Sequence, residues 1–268
     1  MKKNVFASLV GVCVLLAMFS AAGGCAQTPS KYAVKDAAKL NEPTVRKSQS
    51  GLRHLVYLPR GYDAGNLKKR WPVLIYLHGV QARGERLSLV RSVGVAHEME
   101  QGRDFGMIVV VPQISGREAW NARKLEELLD EAEADYHVDV SRVYVTGDGI
   151  GGYGTYVLAG RAPQRFAAAA PISSAAYVEQ SVQLRDVPMW VFHGKLDGIV
   201  PLDQATDMVY ALSTLGGEAH VTVYEKGDHD IAERVYSKDE LYTWFLKHRR
   251  NQETGKIEIK SNETAQSE

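Results

Sequence analysis

The chain has 268 residues with 32 basic and 32 acidic side chains, so its formal net charge is zero. This balance argues against a basic, nucleic-acid-binding protein, and a hydrophobic fraction of 45% fits an ordinary globular core. The length suits one α/β domain.

The N-terminus has the pattern of an export signal. A basic start, MKKN, is followed by an almost wholly apolar run and then by Gly23-Gly24-Cys25. Small residues directly before Cys25 resemble a bacterial lipobox, in which cleavage exposes a cysteine that is then acylated. We predict a signal peptide over residues 1–24 and a protein held on the outer side of a membrane by a lipid on Cys25. Ordinary cleavage near residues 20–22, with plain secretion, is the open alternative.

The rest of the chain divides into three predicted segments. Residues 25–50 are polar and mixed, which predicts a flexible tether. Residues 51–249 carry the periodic apolar pattern of the folded domain. Residues 250–268 have few apolar side chains to bury, which predicts a disordered tail. Because Cys13 leaves with the signal, we expect no disulfide in the exported domain.

Strand-like and helix-like segments alternate along the predicted domain. The expected strands are short, apolar and rich in β-branched or aromatic residues: Leu52–Leu58, Val73–Leu77, Met107–Val111, Val143–Thr146, Phe166–Ala170, Met189–Phe192 and Val221–Tyr224. The expected helices are Ala122–Tyr136, Gln204–Leu215 and Lys238–His248. This order predicts a doubly wound, mostly parallel sheet, and the short 166–189 interval leaves no room for a sizeable cap domain.

The stretch VYVTGDGIGGYG, residues 143–154, fits two motifs. Its glycines match the dinucleotide-binding G-x-G-x-x-G, but no carboxylate follows the next strand before Glu179, where that motif needs one. They also match G-x-S-x-G, the strand-to-helix elbow of serine hydrolases, with Gly149 in place of the serine. Asp197 and His229 then follow later strands in the expected order of acid and base. The elbow interpretation is therefore preferred.

Several motifs together resemble one enzyme family. They are YLPRGY, HGVQARG from His78, VDVSRVYVTG before the elbow, GGYGTY after it, and HGKLDGIVP. The region of about residues 52–246 is similar to secreted α/β-hydrolase esterases related to feruloyl esterases, acetyl xylan esterases and polyhydroxyalkanoate depolymerases. The resemblance implies the α/β-hydrolase fold and action on carboxylic esters, including polysaccharide-linked ones.

The same resemblance assigns roles to individual residues. Asp197 would orient His229, which would act as the general base. The oxyanion donors would be the backbone N–H groups of Ile150 and of Val80 or Gln81. Trp120 would line the substrate site.

The chain departs from the family at the nucleophile, where relatives carry TGxSxGG and this sequence has glycine at position 149. Asp148 at the elbow tip would place Ile150 where close packing needs a small residue. Ser173 and Ser174 would have to reach His229 from a neighbouring strand. No covalent acyl-enzyme can form at Gly149, and loss of a triad member elsewhere reduces turnover by about 10⁴–10⁶-fold.

Three functions follow as alternatives. The chain is a carboxylic-ester hydrolase with lost or strongly impaired serine catalysis, a non-catalytic ligand- or carbohydrate-binding protein, or a slow hydrolase in which His229 activates water. We expect no cofactor. We also expect no metal site, because the candidates His78, His193, Asp197 and His229 include no close histidine pair.

Overall fold

The computed structural model describes residues 42–260. Within them, eight strands form one sheet in the spatial order β1-β2-β4-β3-β5-β6-β7-β8. The β1–β2 and β2–β4 pairs are antiparallel, and all the other neighbouring pairs are parallel. The strands are β1 Thr44–Lys47, β2 Arg53–Tyr57, β3 Trp71–Leu77, β4 Ile108–Gln113, β5 Val138–Asp148, β6 Ala168–Ile172, β7 Met189–Gly194 and β8 Ala219–Tyr224.

Helices cover both faces of this sheet because its central strands are apolar on both sides. Along β3, Val73 and Ile75 belong to one buried cluster, whereas Leu74 and Tyr76 belong to the other. The helices are α1 Leu87–Arg91, α2 Gly94–Glu100, α3 Ala122–Asp135, α4 Ile150–Arg161, α5 Ser181–Leu184, α6 Asp203–Thr214, α7 Ala232–Tyr236 and α8 Asp239–Lys247. Apolar side chains of α3, α4, α5 and α6 join the first cluster, and those of α1, α2, α7 and α8 join the second.

The predicted architecture is confirmed. Each of the seven expected strands and three expected helices is present, with ends displaced by a few residues. Between β6 and β7 the chain forms only a 3₁₀ turn and the four-residue α5, so no sizeable cap covers the sheet among the described residues. The cleft at the carboxyl ends of the strands is consequently open.

The domain is longer at both ends than the predicted range 51–249. The strand β1 pairs antiparallel with β2, from Thr44↔Val56 to Lys47↔Arg53. At the other end, β9 (His248–Arg250) pairs with β10 (Ile257–Ile259), so the predicted disorder is wrong for that stretch. Both additions are stabilised by backbone pairing more than by apolar burial, which is why an apolar pattern does not reveal them.

The predicted signal peptide and Cys25 lie outside the described residues. Within residues 42–260, no helix has both the length and the apolar character needed to cross a membrane.

Candidate active site

The turn from β5 to α4 has the backbone shape of a nucleophile elbow. Gly149 adopts φ 54° and ψ −116°, a combination that strains residues with a Cβ and that glycine adopts freely. Its N–H donates to the Ile172 carbonyl at 3.0 Å, and its carbonyl accepts from the Tyr153 N–H at 3.1 Å. The elbow conformation is therefore present, with glycine at its tip.

Neighbouring glycines fix the register of this turn. A Cβ on Gly151 would lie 1.9 Å from the Leu77 carbonyl oxygen, and one on Gly147 would lie 2.4 Å from the Gly151 backbone. These approaches are possible only without side chains. Gly147 and Gly151 thus occupy the two small-residue positions of the motif, which leaves Gly149, and not Asp148, at the elbow tip.

The acid and the base lie together beside the elbow. His229 Nδ1 is 2.8 Å from Asp197 Oδ2, and the Asp197 side chain is fully buried whereas the His229 side chain is 26% exposed. An ideal Cβ on Gly149 would lie 3.5 Å from His229 Nε2. Because Asp197 accepts a hydrogen bond from Nδ1–H, the His229 Nε2 atom is left with a free lone pair toward position 149.

Asp197 is held as a carboxylate by its surroundings. Burial by itself would raise its pKa, but the Val200 N–H, His229 and the Ile199 N–H all donate to it and together lower its pKa. Both amide donors lie 2.8 Å from Oδ1. Such a carboxylate can stabilise a positive charge on His229.

A second histidine, His193, lies next to Asp197 in the structure. His193 Nε2 lies 2.9 Å from the Val200 carbonyl oxygen and 3.3 Å from Asp197 Oδ2, and its side chain is fully buried. Both neighbours only accept, so Nε2 must carry the proton. The sequence predicts no role for His193 beyond that of a candidate metal ligand. The His193–Asp197 spacing in HGKLD was the available signal for this contact.

Asp148 lies at the base of the cleft next to the elbow. Its carboxyl accepts from the Tyr76 hydroxyl at 2.8 Å and from Gln81 Nε2 at 2.9 Å. Burial is the largest effect on its pKa and raises it, although both hydrogen bonds act in the opposite direction. Asp148 therefore connects the elbow to the loop that carries Gln81.

The predicted oxyanion residues surround the elbow. Val80 begins a 3₁₀ turn and Ile150 begins α4, and the first N–H groups of a helix have no acceptor within it. Val80, Gln81 and Ile150 all line the cleft. Their role as oxyanion donors stays a prediction.

His78 supports this loop from below. Its Nδ1 donates to the Gly79 carbonyl at 2.7 Å, and its Nε2 accepts from the Ile114 N–H. Burial lowers its pKa to about 4, so the ring is neutral at pH 7. Trp120, predicted to bind substrate, is 5% exposed, packs edge-to-face on His78 and donates to the His78 carbonyl. It does not line the cleft, and contact with substrate stays a prediction.

The cleft itself is a cavity of about 600 Å³ that includes Gly149 and His229 in its lining. Its outer rim is apolar and open, with Val80 60%, Tyr177 59% and Ile199 73% exposed. Tyr177 packs edge-to-face on Tyr153 at 5.8 Å. Such a rim suits a ligand with an apolar or ring-shaped part.

The structure does not bring Ser173 or Ser174 into this cleft. Ser173 is buried in a left-handed conformation, φ 44°, and the Ser174 hydroxyl donates to the Ala175 carbonyl. Neither serine lines the cavity. Among residues 42–260, no group of three or more His, Cys, Asp or Glu side chains is arranged to hold a metal ion.

A family model and several solved structures match this chain. A family model described as "Putative esterase" matches residues 49–225. A solved thermostable esterase superposes with a TM-score of 0.65 at 23% identity, over 78% of this chain and 63% of that one. A solved ferulic acid esterase superposes with a TM-score of 0.58 at 21% identity, over 75% of this chain and 94% of that one. An acylaminoacyl peptidase from Pyrococcus horikoshii superposes with a TM-score of 0.61 at 17% identity, over 84% of this chain and 44% of that one.

Two curated proteins also match in sequence. The bifunctional acetylxylan esterase/xylanase XynS20E of Neocallimastix patriciarum is 24% identical over 208 residues, 72% of this chain. Poly(3-hydroxyalkanoate) depolymerase C of Paucimonas lemoignei is 41% identical over 56 residues, 21% of this chain. The matched regions span only 30% and 14% of those longer proteins.

The family match covers most of the described domain, and the mostly parallel sheet with helices on both faces is that of an α/β hydrolase. The chain belongs to the esterase family of α/β hydrolases.

Proposed function

We propose that this protein is an exported member of the esterase family whose cleft binds carboxylic esters and in which covalent serine catalysis is lost. The observation that carries the proposal is the geometry at position 149. An elbow-shaped backbone points its side-chain position at His229 Nε2, 3.5 Å from an ideal Cβ, but the residue is glycine. The Asp197–His229 hydrogen bond and the cleft beside position 149 support the retained part of the site, and the glycine supports the loss of the nucleophile.

The proposed ligand is an ester of a small or aromatic acid, linked to an alcohol or to a polysaccharide. The acetylxylan esterase and ferulic acid esterase relatives support the polysaccharide-linked class. The open, apolar rim supports a bulky alcohol or acyl group that extends out of the cleft.

A purely binding role is the second candidate. Tyr177 is 59% exposed at the rim and packs against Tyr153, as expected of an aromatic surface on which a sugar ring can stack. Under this alternative the cleft binds a carbohydrate ester, and no reaction follows.

The first test restores the missing nucleophile. The wild-type protein should not be labelled by a fluorophosphonate probe and should show no burst with p-nitrophenyl esters. Gly149→Ser should be labelled at residue 149, with a burst and a gain in turnover of at least about 10³-fold. The double variant Gly149→Ser/His229→Ala should lose that gain.

Two outcomes would refute the loss of serine catalysis in the wild-type protein. One is stoichiometric labelling of the wild type at Ser173 or Ser174, and the other is a wild-type burst. If folded Gly149→Ser neither reacts with a broad ester panel nor binds an unreactive ester analogue, the cleft does not recognise esters.

The location is tested separately. We propose that Cys25 is the acylated first residue of the mature protein, on the outer face of a membrane. Mass spectrometry of the mature N-terminus should find a lipid-modified Cys25. An unmodified N-terminus upstream of Cys25, or full-length protein in the cytosol, would exclude the anchor.

A further inference from the structure

The side-chain position of residue 149 is open toward the base. Among the described residues, excluding the immediate chain neighbours, His229 Nε2 is the one heavy atom within 4 Å of an ideal Cβ there, at 3.5 Å. The position belongs to the lining of the 600 Å³ cleft, so molecules from solvent can reach it. A hydroxyl group placed over Gly149 would meet the base at hydrogen-bonding distance, as a serine hydroxyl does in relatives.

His229 is prepared to accept a proton from such a hydroxyl. Its Nδ1–H is held by Asp197 at 2.8 Å, so the lone pair of Nε2 faces the open position. The Asp197 carboxylate receives two backbone N–H groups at 2.8 Å and is fully buried, which fixes the ring in this orientation. Serine is not required for this acid–base pair to work.

We propose that the space over Gly149 is an acceptor site for water or a small alcohol, and that the protein transfers an acyl group directly from a bound ester to that acceptor. The proposal rests on ester binding in the cleft, as inferred above. It differs from the family's serine chemistry because no acyl-enzyme forms and because an alcohol competes with water for one site.

The reaction balances in two steps. The acceptor O–H gives its proton to His229 Nε2 while its oxygen bonds to the ester carbonyl carbon, which leaves the negative charge on the carbonyl oxygen. The carbon–oxygen bond to the leaving alcohol then breaks, and that oxygen takes the proton back from His229. Water yields the free acid and an alcohol yields a new ester. The N–H groups of Ile150 and Val80 are the expected donors to the oxyanion.

The lining of the cleft selects the kind of acceptor. Its charged side chains include the carboxyl groups of Asp148 and Asp230, and among the described residues no Lys or Arg lines it. A small neutral alcohol should therefore enter more easily than an anion of similar size. The open space is also narrow in one direction, because His229 lies 3.5 Å from the Cβ position, so branching at the hydroxyl-bearing carbon should hinder entry.

The test measures acyl transfer by the wild-type protein. p-Nitrophenyl acetate is mixed with the mature domain at increasing methanol, ethanol, 2-propanol or tert-butanol, or with sodium azide, and the products are identified by gas chromatography. We expect saturable release of p-nitrophenol with methanol, formation of methyl acetate and no burst. The rate should fall with branching and be smallest with azide. The methanol-dependent rate should exceed that of His229→Ala by about 10²-fold.

Two glycine-to-alanine variants isolate the acceptor site. Gly149→Ala places a methyl group in the proposed site and should reduce the methanol-dependent rate at least about 10-fold, while an unreactive ester analogue still binds. Gly160→Ala adds the same methyl group near the other end of α4, the helix that follows Gly149; the nearest atoms there are at 3.7 Å, and the rate should be unchanged.

Each failure has a distinct meaning. If the ester analogue does not bind the wild-type protein, the proposed function fails. If the analogue binds but methanol gives no His229-dependent methyl acetate, the acceptor site is wrong. Equal rates in wild type and Gly149→Ala would also overturn it.

Discussion

The nucleophile side of the cleft and its base side are fixed by different interactions. The elbow is shaped by close backbone packing, with Gly147 and Gly151 against neighbouring backbone. The base side is fixed by hydrogen bonds, three of which converge on the buried Asp197 carboxylate, with His193 Nε2 close by at 3.3 Å. Neither set of interactions involves a side chain at position 149. A serine can therefore be absent while the shape of both sides persists, which explains how the fold and the chemistry are separable here.

The largest expected effect concerns steric packing on the nucleophile side. Gly151→Ala puts a Cβ 1.9 Å from the Leu77 carbonyl oxygen, and backbone atoms cannot rotate away. The free energy of unfolding should fall by about 3 kcal/mol, measured by urea denaturation. Gly149→Ala has room for its Cβ but a strained backbone, so it should lose about 1 kcal/mol.

Gly160→Ala is the control for both Gly151→Ala and Gly149→Ala. Gly160 lies in α4, as Gly151 does, with space for a methyl group, and the variant should be as stable as wild type or more stable by up to about 1 kcal/mol. A Gly151→Ala protein as stable as Gly160→Ala would show that backbone packing does not shape the elbow.

The next effect concerns the buried acid on the base side. Asp197→Asn replaces one carboxylate oxygen with an NH2 group and should lower the free energy of unfolding at pH 7 by about 2 kcal/mol, because that group then faces the N–H groups of His229 and His193 while the charge is lost. The pKa of Asp197 is lowered below its ordinary 3.8 in the folded protein. Its stabilisation is therefore complete above pH 4 and is lost as the pH falls through the folded pKa.

Unfolding by urea between pH 2 and pH 7 measures this contribution. The difference between wild type and Asp197→Asn should shrink below pH 4. A difference that stays constant across that range would mean that the charge of Asp197 does not contribute to stability.

A smaller effect tests His193, which we regard as a positioning residue that acts through Asp197. In the Gly149→Ser protein, His193→Leu should lower kcat about 10-fold with KM unchanged, because the loop that carries Asp197 loses the bond from His193 to the Val200 carbonyl and Asp197 loses its polar neighbour at 3.3 Å, so His229 is held less firmly in one orientation. His193→Gln keeps a donor nitrogen and should recover most of kcat. Equal kcat in the Leu and Gln variants, at equal thermal stability, would reduce His193 to a packing role.

Much of this arrangement follows from local sequence, and the remainder depends on contacts between distant residues. Alternating apolar runs predict the strands, and G-x-G-x-G with Asp197 and His229 predicts the elbow and the acid–base order. The partners of Asp148 lie 72 and 67 residues away, at Tyr76 and Gln81, and no local pattern indicates them. The same holds for β1 and β10, which are stabilised by backbone pairing.

The smallest effect concerns Asp148, which joins the elbow to the loop that carries Gln81. Because burial raises its pKa above the ordinary 3.8, the charged form is less stable in the folded protein than in the unfolded chain. Asp148→Asn removes that charge but keeps an acceptor for the Tyr76 hydroxyl, and the Gln81 amide can rotate to pair with the new amide. At pH 7 the variant should be as stable as wild type or more stable, by less than about 1 kcal/mol.

Any gain in stability should vanish as the pH falls below 3.8, where wild-type Asp148 is protonated in both the folded and the unfolded state. Urea unfolding at pH 3.5 and pH 7 distinguishes the outcomes, since a variant clearly less stable at pH 7 would show that ionised Asp148 stabilises the fold through Tyr76 and Gln81.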